Sequence, residues 1–222
     1  MSTKIGIIAE GSIDHVLLPP LLERIAQSRA DFAWPVNAED VAELFLIRKR
    51  GHGGVLATVR KLVSVLDTQF FEHAFFVILL DRKTRAVQEQ IRTLLANRDR
   101  FALGLAIEEI EAWWLADRVN TLAWAGMTQP PENARYAAEE YKAEQDADPK
   151  KTLDELTRLS DHFDRYYGEG NTDMASDFAE DYWRQHAMLD AIRTQCSEGY
   201  GRFEDVAVNR FRTAKNTAGR LF

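Results

Sequence analysis

Cysteine is nearly absent from this chain of 222 residues: Cys196 stands alone. No internal disulfide can form, and no cysteine pair exists to hold structural zinc. A reducing, cytoplasmic setting fits that usage. Long apolar runs are lacking too. No stretch approaches the roughly 20 apolar residues of a membrane span. The N-terminal run KIGIIA, residues 4–9, is shorter than the apolar region of a signal peptide. We therefore expect no membrane association and read this run as a first strand. An excess of positive charge is also missing, since 28 Lys and Arg face 35 Asp and Glu for a formal net charge of −7. That excludes a protein that coats nucleic acid with its whole surface, but it leaves room for a local basic patch. Internal repeats and low-complexity segments are absent. What remains is the composition of a globular chain, 45 % hydrophobic and 28 % charged. A chain of this size hides roughly 70 % of its unfolded surface.

The first half alternates between apolar runs and helical patterns. Residues 4–9 are a continuous apolar run, as a strand covered on both faces requires. A helix is expected from about Ile13 to Gln27, kinked by or starting at Pro19 and Pro20. The segment ELFLIRK, residues 43–49, reads as a second strand, followed by Gly51, Gly53 and Gly54 and a helix to about Leu66. AFFVILL, residues 74–80, is the clearest strand and ends at Asp81. A helix over 84–97 and a fourth strand over 101–107 follow, and that strand runs straight into a helical pattern at Glu108–Asp117. Such alternation predicts an α/β fold with a mostly parallel sheet of about four strands flanked by helices. Beyond Pro130 and Pro131 the chain is polar and helix-like, with helices expected near 150–160, 173–196 and from Arg202 onward. We expect an α/β domain over residues 1–128 and a helical C-terminal extension over 129–222, packed on it.

Ligands of open parallel sheets bind beyond the carboxyl ends of the strands. The residues that follow each apolar run are therefore the candidates. Glu10 follows the first, Asp81 the third, and Glu108, Glu109 and Glu111 the fourth, while Asp14 lies one helical turn from Glu10. Clustered carboxylates repel one another, and burying them uncompensated is costly. A hard cation such as Mg²⁺ or Mn²⁺ relieves that cost, because it prefers oxygen ligands. Any one of these acids alone reads better as a helix cap or dipole partner. Glu10 and Asp81 together, each ending a buried strand, point to a site. Arg48, Lys49, Arg50 and His52, among three glycines, sit at a strand end before a helix and suit phosphate. Arg82, Lys83 and Arg85 follow Asp81 in the same way. A solvated basic loop is the alternative for both clusters.

Other residues carry weaker signals. No His pair has metal-ligand spacing, and His15 reads as structural. Ser12 lacks the GxSxG elbow and reads as a cap. Trp113, Trp114 and Cys196 read as core.

The order of these motifs carries a family likeness. IIAEGSID, residues 7–14, resembles the first Toprim motif, a strand ending in Glu-Gly with an acid one turn later. Phe76–Asp81 resembles the second. Residues 107–117, IEEIEAWWLAD, are similar to the E-x-E-A-W/L-L-x-x-D segment of a bacterial family of Toprim-like proteins, and Pro149–Lys151 and Tyr167–Gly170 to its C-terminal helical region. The resemblance implies a Toprim-like, Rossmannoid sheet. It implies roles for Glu10 and Asp81 as catalytic acid/base or metal ligands, and matches Glu109 and Glu111 to the family's paired glutamates. It further implies a Mg²⁺- or Mn²⁺-dependent nuclease acting on DNA or RNA. Members are often encoded beside an ATPase of the ABC/OLD type in phage-defence loci, so an ATPase partner is expected. Toprim sites usually show Asp-x-Asp, and here the sequence is Asp81-Arg82-Lys83. Lys83 then enters the catalytic set as a phosphate contact, with Glu109 or Glu111 supplying the missing carboxylate. The alternative is a non-catalytic binding or regulatory subunit of such a system. A homo-oligomer is left open, and a small-molecule phosphotransferase ranks last because no phosphate-loop motif is present.

Overall fold

The apolar runs become neighbouring strands because each needs cover on both faces. The structure is a computed structural model that describes residues 3–32, 35–47, 51–70, 72–81, 85–106, 109–132, 135–138, 141–160, 165–168 and 171–218. The chain begins with β1 (Thr3–Ile8), α1 (Ser12–Arg29), β2 (Val36–Asp40), α2 (Val41–Leu44) and α3 (Gly51–Gln69). It continues through β3 (His73–Asp81), α4 (Arg85–Leu95), β4 (Phe101–Ala106), α5 (Ile110–Ala116) and α6 (Arg118–Trp124). Then come α7 (Pro149–Arg158), α8 (Thr172–Phe178), α9 (Arg184–His186), α10 (Leu189–Gln195) and α11 (Arg202–Ala218). The four strands form one parallel sheet in the order β2-β1-β3-β4. This is the expected α/β class. Among the described residues no helix is long and apolar enough to cross a membrane.

Period-two alternation divides the strand side chains between two cores. Phe75, Val77 and Leu79 of β3 point to the face covered by α1, α5 and α11. Phe76, Ile78 and Leu80 point to the other face, against Val55, Val59 and Leu62 of α3 and Ile91 of α4. The C-terminal helices belong to the first core. Trp113 stacks on Phe203 of α11 with ring centroids 5.3 Å apart, and Trp114 stacks on Phe178 of α8 at 4.2 Å. Phe211 of α11 meets Phe75 edge-on at 5.0 Å. Cys196 is buried in the same cluster.

One sequence expectation needs correction. The second strand is not residues 43–49 but Val36–Asp40, paired residue for residue with Thr3–Ile7 of β1. It lies at the sheet edge, so its side chains stay partly exposed and it needs no apolar run. Of the segment expected as a strand, Glu43 and Leu44 close α2, residues 45–47 lie in the turn after it and 48–49 lie outside the described residues; the Asp40 carboxylate accepts the Ala42 N–H at 2.8 Å and caps the helix. Leu44 and Leu46 of that segment are exposed. The first helix covers the expected residues, and of the two readings of its prolines a start there is excluded. It begins at Ser12 and carries Pro19 and Pro20 inside. Leu17, Leu18, Leu21, Leu22 and Ile25 are fully buried around them, and that packing offsets the hydrogen bonds the prolines remove.

The seat of α11 on the sheet depends on one glycine. A Cβ at Gly104 would lie 2.6 Å from Phe203 Cδ2 and 3.1 Å from Leu79 Cδ1. We expect Gly104→Ala to destabilise the protein by about 1–3 kcal/mol through overpacking, read as a lower urea midpoint. Adding Phe203→Leu should recover part of that loss.

Candidate functional site

The strand order places the site. The chain leaves β1 toward β2, then crosses back to β3 on the other side, so the crevice of this sheet opens beyond the carboxyl ends of β1 and β3. Glu10 lies just past β1, and Asp81 is the last residue of β3. The Asp81 backbone N–H donates to Glu10 Oε1 at 3.1 Å, which ties the first acid to the end of the third strand. The Glu10 carbonyl accepts the Gly51 N–H at 3.1 Å. Gly51 opens α3 with φ +73°, a left-handed conformation that favours glycine. Asp81 pairs in register with Ala106 at the end of β4, which sets the start of α5 beside it. Glu109 is the residue before α5, and Glu111 lies in its first turn. Asp14 stands in the first turn of α1, where its Oδ2 accepts the Gly11 N–H at 2.8 Å.

Glu10, Asp14, Asp81, Glu109 and Glu111 thus line one cleft of about 440 Å³. His52 stands at its edge, with Nδ1 4.0 Å from Glu10 Oε2. Arg48, Lys49, Arg50, Arg82 and Lys83 lie outside the described residues. Arg85 opens α4, and its side chain also lies outside them. Asp117, the last acid of the 107–117 motif, does not line the cleft. It is buried, accepts from Asn120 Nδ2 at 2.9 Å and binds the Met188 N–H, so its role is to join helices. His15 faces a neighbouring cavity, 3.6 Å from Asp40.

Two residues that sequence reasoning did not assign to the site complete it. Lys150 of α7 reaches the cleft and pairs with Glu109 Oε1 at 3.2 Å. Tyr167 is fully buried, and its hydroxyl donates to Glu111 Oε1 at 2.5 Å. Both lie within stretches quoted above for their family likeness, but nothing local marks them as site residues. The local signal covers only the helix start. Asp148 caps α7 through the Lys151 N–H and Pro149 sits in its first turn, which fixes where Lys150 begins its reach.

Charge in the cleft is unbalanced. The Asp81 carboxyl is pushed up to about 7 by burial first, then by Glu10 and Glu109, with Lys150 pulling the other way. Asp14 is raised well above the usual carboxylate range by burial, despite the Gly11 N–H. Burial also raises Glu111, against the pull of Lys150 and Tyr167. For Lys150, burial works against the charge, but Glu111 and Glu109 outweigh it and hold the pKa above the ordinary lysine value.

An oxygen-only donor set of this kind suits a hard divalent cation. The geometry limits how one would be held. Among the described residues no three acidic, imidazole or thiol groups converge as a ligand set, and Glu109 is paired with Lys150. The residues present fit a cation held by Glu10 and Asp81 together with water and substrate oxygens, which is the usual manner of Mg²⁺. They do not fit an all-protein cage.

The raised Asp81 pKa makes a stability prediction. The folded state keeps a proton that the unfolded chain releases between its ordinary pKa of 3.8 and about 7. Stability from this group therefore falls as pH rises through that window, and the loss is complete above it. We expect Asp81→Asn to raise Tm by several degrees at pH 8 and by much less at pH 5, measured by thermal melts across pH.

The chain matches no protein-family model, no curated protein and no solved structure.

Proposed function

We propose that this chain is a Mg²⁺- or Mn²⁺-dependent nuclease that hydrolyses phosphodiester bonds of DNA or RNA. The observation that carries the reading is the gathering of five carboxylates against Lys150 at the switch point of a parallel sheet, with Asp81 pushed up to about 7 by burial and then by its acidic neighbours. A bound divalent cation would neutralise the phosphate and lower the pKa of the attacking water. The protein's own groups do the remaining work. Glu10, fixed by the Asp81 N–H, presents its carboxylate where a cation or an attacking water would sit. Asp81, kept protonated up to about pH 7 by burial and its acidic neighbours, would give up that proton to become the cation's second ligand. Lys150 offers an ammonium to a phosphate oxygen, with Glu109 holding it in place. Tyr167 steadies Glu111. The sequence adds Arg48, Lys49, Arg50, His52, Arg82, Lys83 and Arg85 as candidate phosphate contacts. The likeness to Toprim-like proteins of phage-defence loci supports a cytoplasmic defence effector that works with an ABC/OLD-type ATPase.

A second reading has its own support. Lys150 already compensates Glu109, and no three ligating groups converge among the described residues. With Arg82-Lys83 in place of the second Toprim aspartate, these features favour a non-catalytic regulatory subunit.

Cleavage assays on DNA and RNA, with and without Mn²⁺ and an ABC/OLD-type ATPase encoded beside it, decide between them. We expect Glu10→Ala and Asp81→Asn to lower the rate by about 10²-fold or more, as loss of a catalytic acid or base does. Mn²⁺ should raise the Tm of the wild type at pH 8 and not that of Asp81→Asn. Wild type and Glu10→Ala equally inactive on every substrate, with no calorimetric Mn²⁺ binding, would establish the regulatory reading.

Lys150→Met separates the roles of the lysine. On the nuclease reading cleavage falls about tenfold or more through loss of the phosphate contact, while Mn²⁺ affinity holds or tightens because Glu109 is released. Weakened Mn²⁺ binding in this variant would show that the lysine instead supports the ligand geometry.

A further inference from the structure

A second cavity lies on the other side of Glu10, beyond the ends of β1 and β2. Its volume is about 430 Å³, and Ile8, Glu10, His15, Asp40, Leu46 and Val55 are among its lining residues. That volume falls within the roughly 300–1,000 Å³ of small-molecule sites. Ile8 and Val55 are buried aliphatic walls. Polar groups gather at one side. His15 Nε2 lies 3.6 Å from Asp40 Oδ2, while Asp40 Oδ1 accepts the Ala42 N–H. A carboxylate has about four acceptor positions, so Asp40 retains capacity for a donor from a ligand. Glu43 adds a second exposed carboxylate. Among the described lining residues there is no Lys or Arg. The mouth holds Leu46, which is 87 % exposed and has φ +55°. Bulky residues rarely take that left-handed conformation. Two backbone hydrogen bonds, Leu46 N–H to Glu43 and Ile47 N–H to Ala42, keep the turn and leave the apolar side chain at the opening.

We infer that this cavity is a nucleobase subsite, taking a base with an exocyclic amino group whose phosphate faces the acidic cleft. The inference rests on the phosphodiester reading of that cleft. Aliphatic walls suit the two faces of a flat ring, and carboxylates accept from an amino group as they do from cytosine N4. Among the described lining residues the cations that would pair with a phosphate are absent, whereas the neighbouring cleft holds Lys150. Glu10 lines both cavities, so a base in one and a phosphate in the other belong to one nucleotide. Two sources present that chemistry, a free mononucleotide and an unstacked base of a single strand.

The test is calorimetric titration of the full chain, without divalent cation, with adenosine, cytidine and uridine. Adenosine or cytidine should bind with a Kd of roughly 1 mM or tighter. Uridine should bind about tenfold more weakly, the worth of one charge-assisted hydrogen bond. Ala42→Phe fills the cavity, and Leu46→Ser alters only an exposed side chain, so at least the second variant keeps the fold. Each should weaken binding about fivefold or more through lost apolar contact. Asp81→Asn, in the other cleft, should keep nucleoside affinity within about twofold, since it removes no contact to the base. Comparing mononucleotides with short single strands assigns the source: tighter binding of the strand, or equal binding of both, each supports the subsite. Absence of nucleoside binding, equal affinity for uridine, or unchanged affinity in both cavity variants overturns it. Nucleoside binding by a protein that cleaves nothing would sink the nuclease reading and leave the subsite standing.

Discussion

The Asp81 N–H bond to Glu10 is the contact on which the site depends. It joins the ends of two neighbouring parallel strands and forces two carboxylates into one crevice. Burial and mutual repulsion then raise the affinity of Asp81 for a proton. Every other feature of the cleft answers that repulsion. Lys150 supplies a positive charge, Tyr167 and the Gly11 N–H supply hydrogen bonds, and the remaining imbalance is what a divalent cation would relieve. The folded chain thus carries an electrostatic cost at its strand ends, and function is the natural reason to carry it.

The helices after Pro149 are part of this arrangement. Lys150 and Tyr167 reach the cleft because α7 packs against α5 and Tyr167 meets Glu111 and Trp114 of α5, whose two tryptophans are fixed by α8 and α11. A shift of that helical layer would move the one described cation that lines the cleft.

The two cavities beside Glu10 differ in character. One is acidic and polar, the other walled by aliphatic side chains with carboxylates at one side. The wall between them is built by the end of β1 and the start of α3, where Gly51 hydrogen-bonds the Glu10 carbonyl. Such a pairing of a charged and an apolar compartment matches the two halves of a nucleotide.

The sequence by itself determined β1, β3 and β4, because strands covered on both faces must be continuous apolar runs. It also determined that Glu10 and Asp81 stand at strand ends, since each closes such a run, and that Glu109 and Glu111 open the helix after the fourth strand. The position of β2 escaped it. An edge strand is stabilised by pairing with β1 rather than by its own burial, so VNAED carries no apolar signature. Lys150 and Tyr167 escaped it for a related reason. Their place at the cleft depends on how α7 docks over a core formed by residues distant in the chain, and no local pattern encodes that. Composition and periodicity fixed which side chains end the strands; only tertiary packing decided which charges meet there.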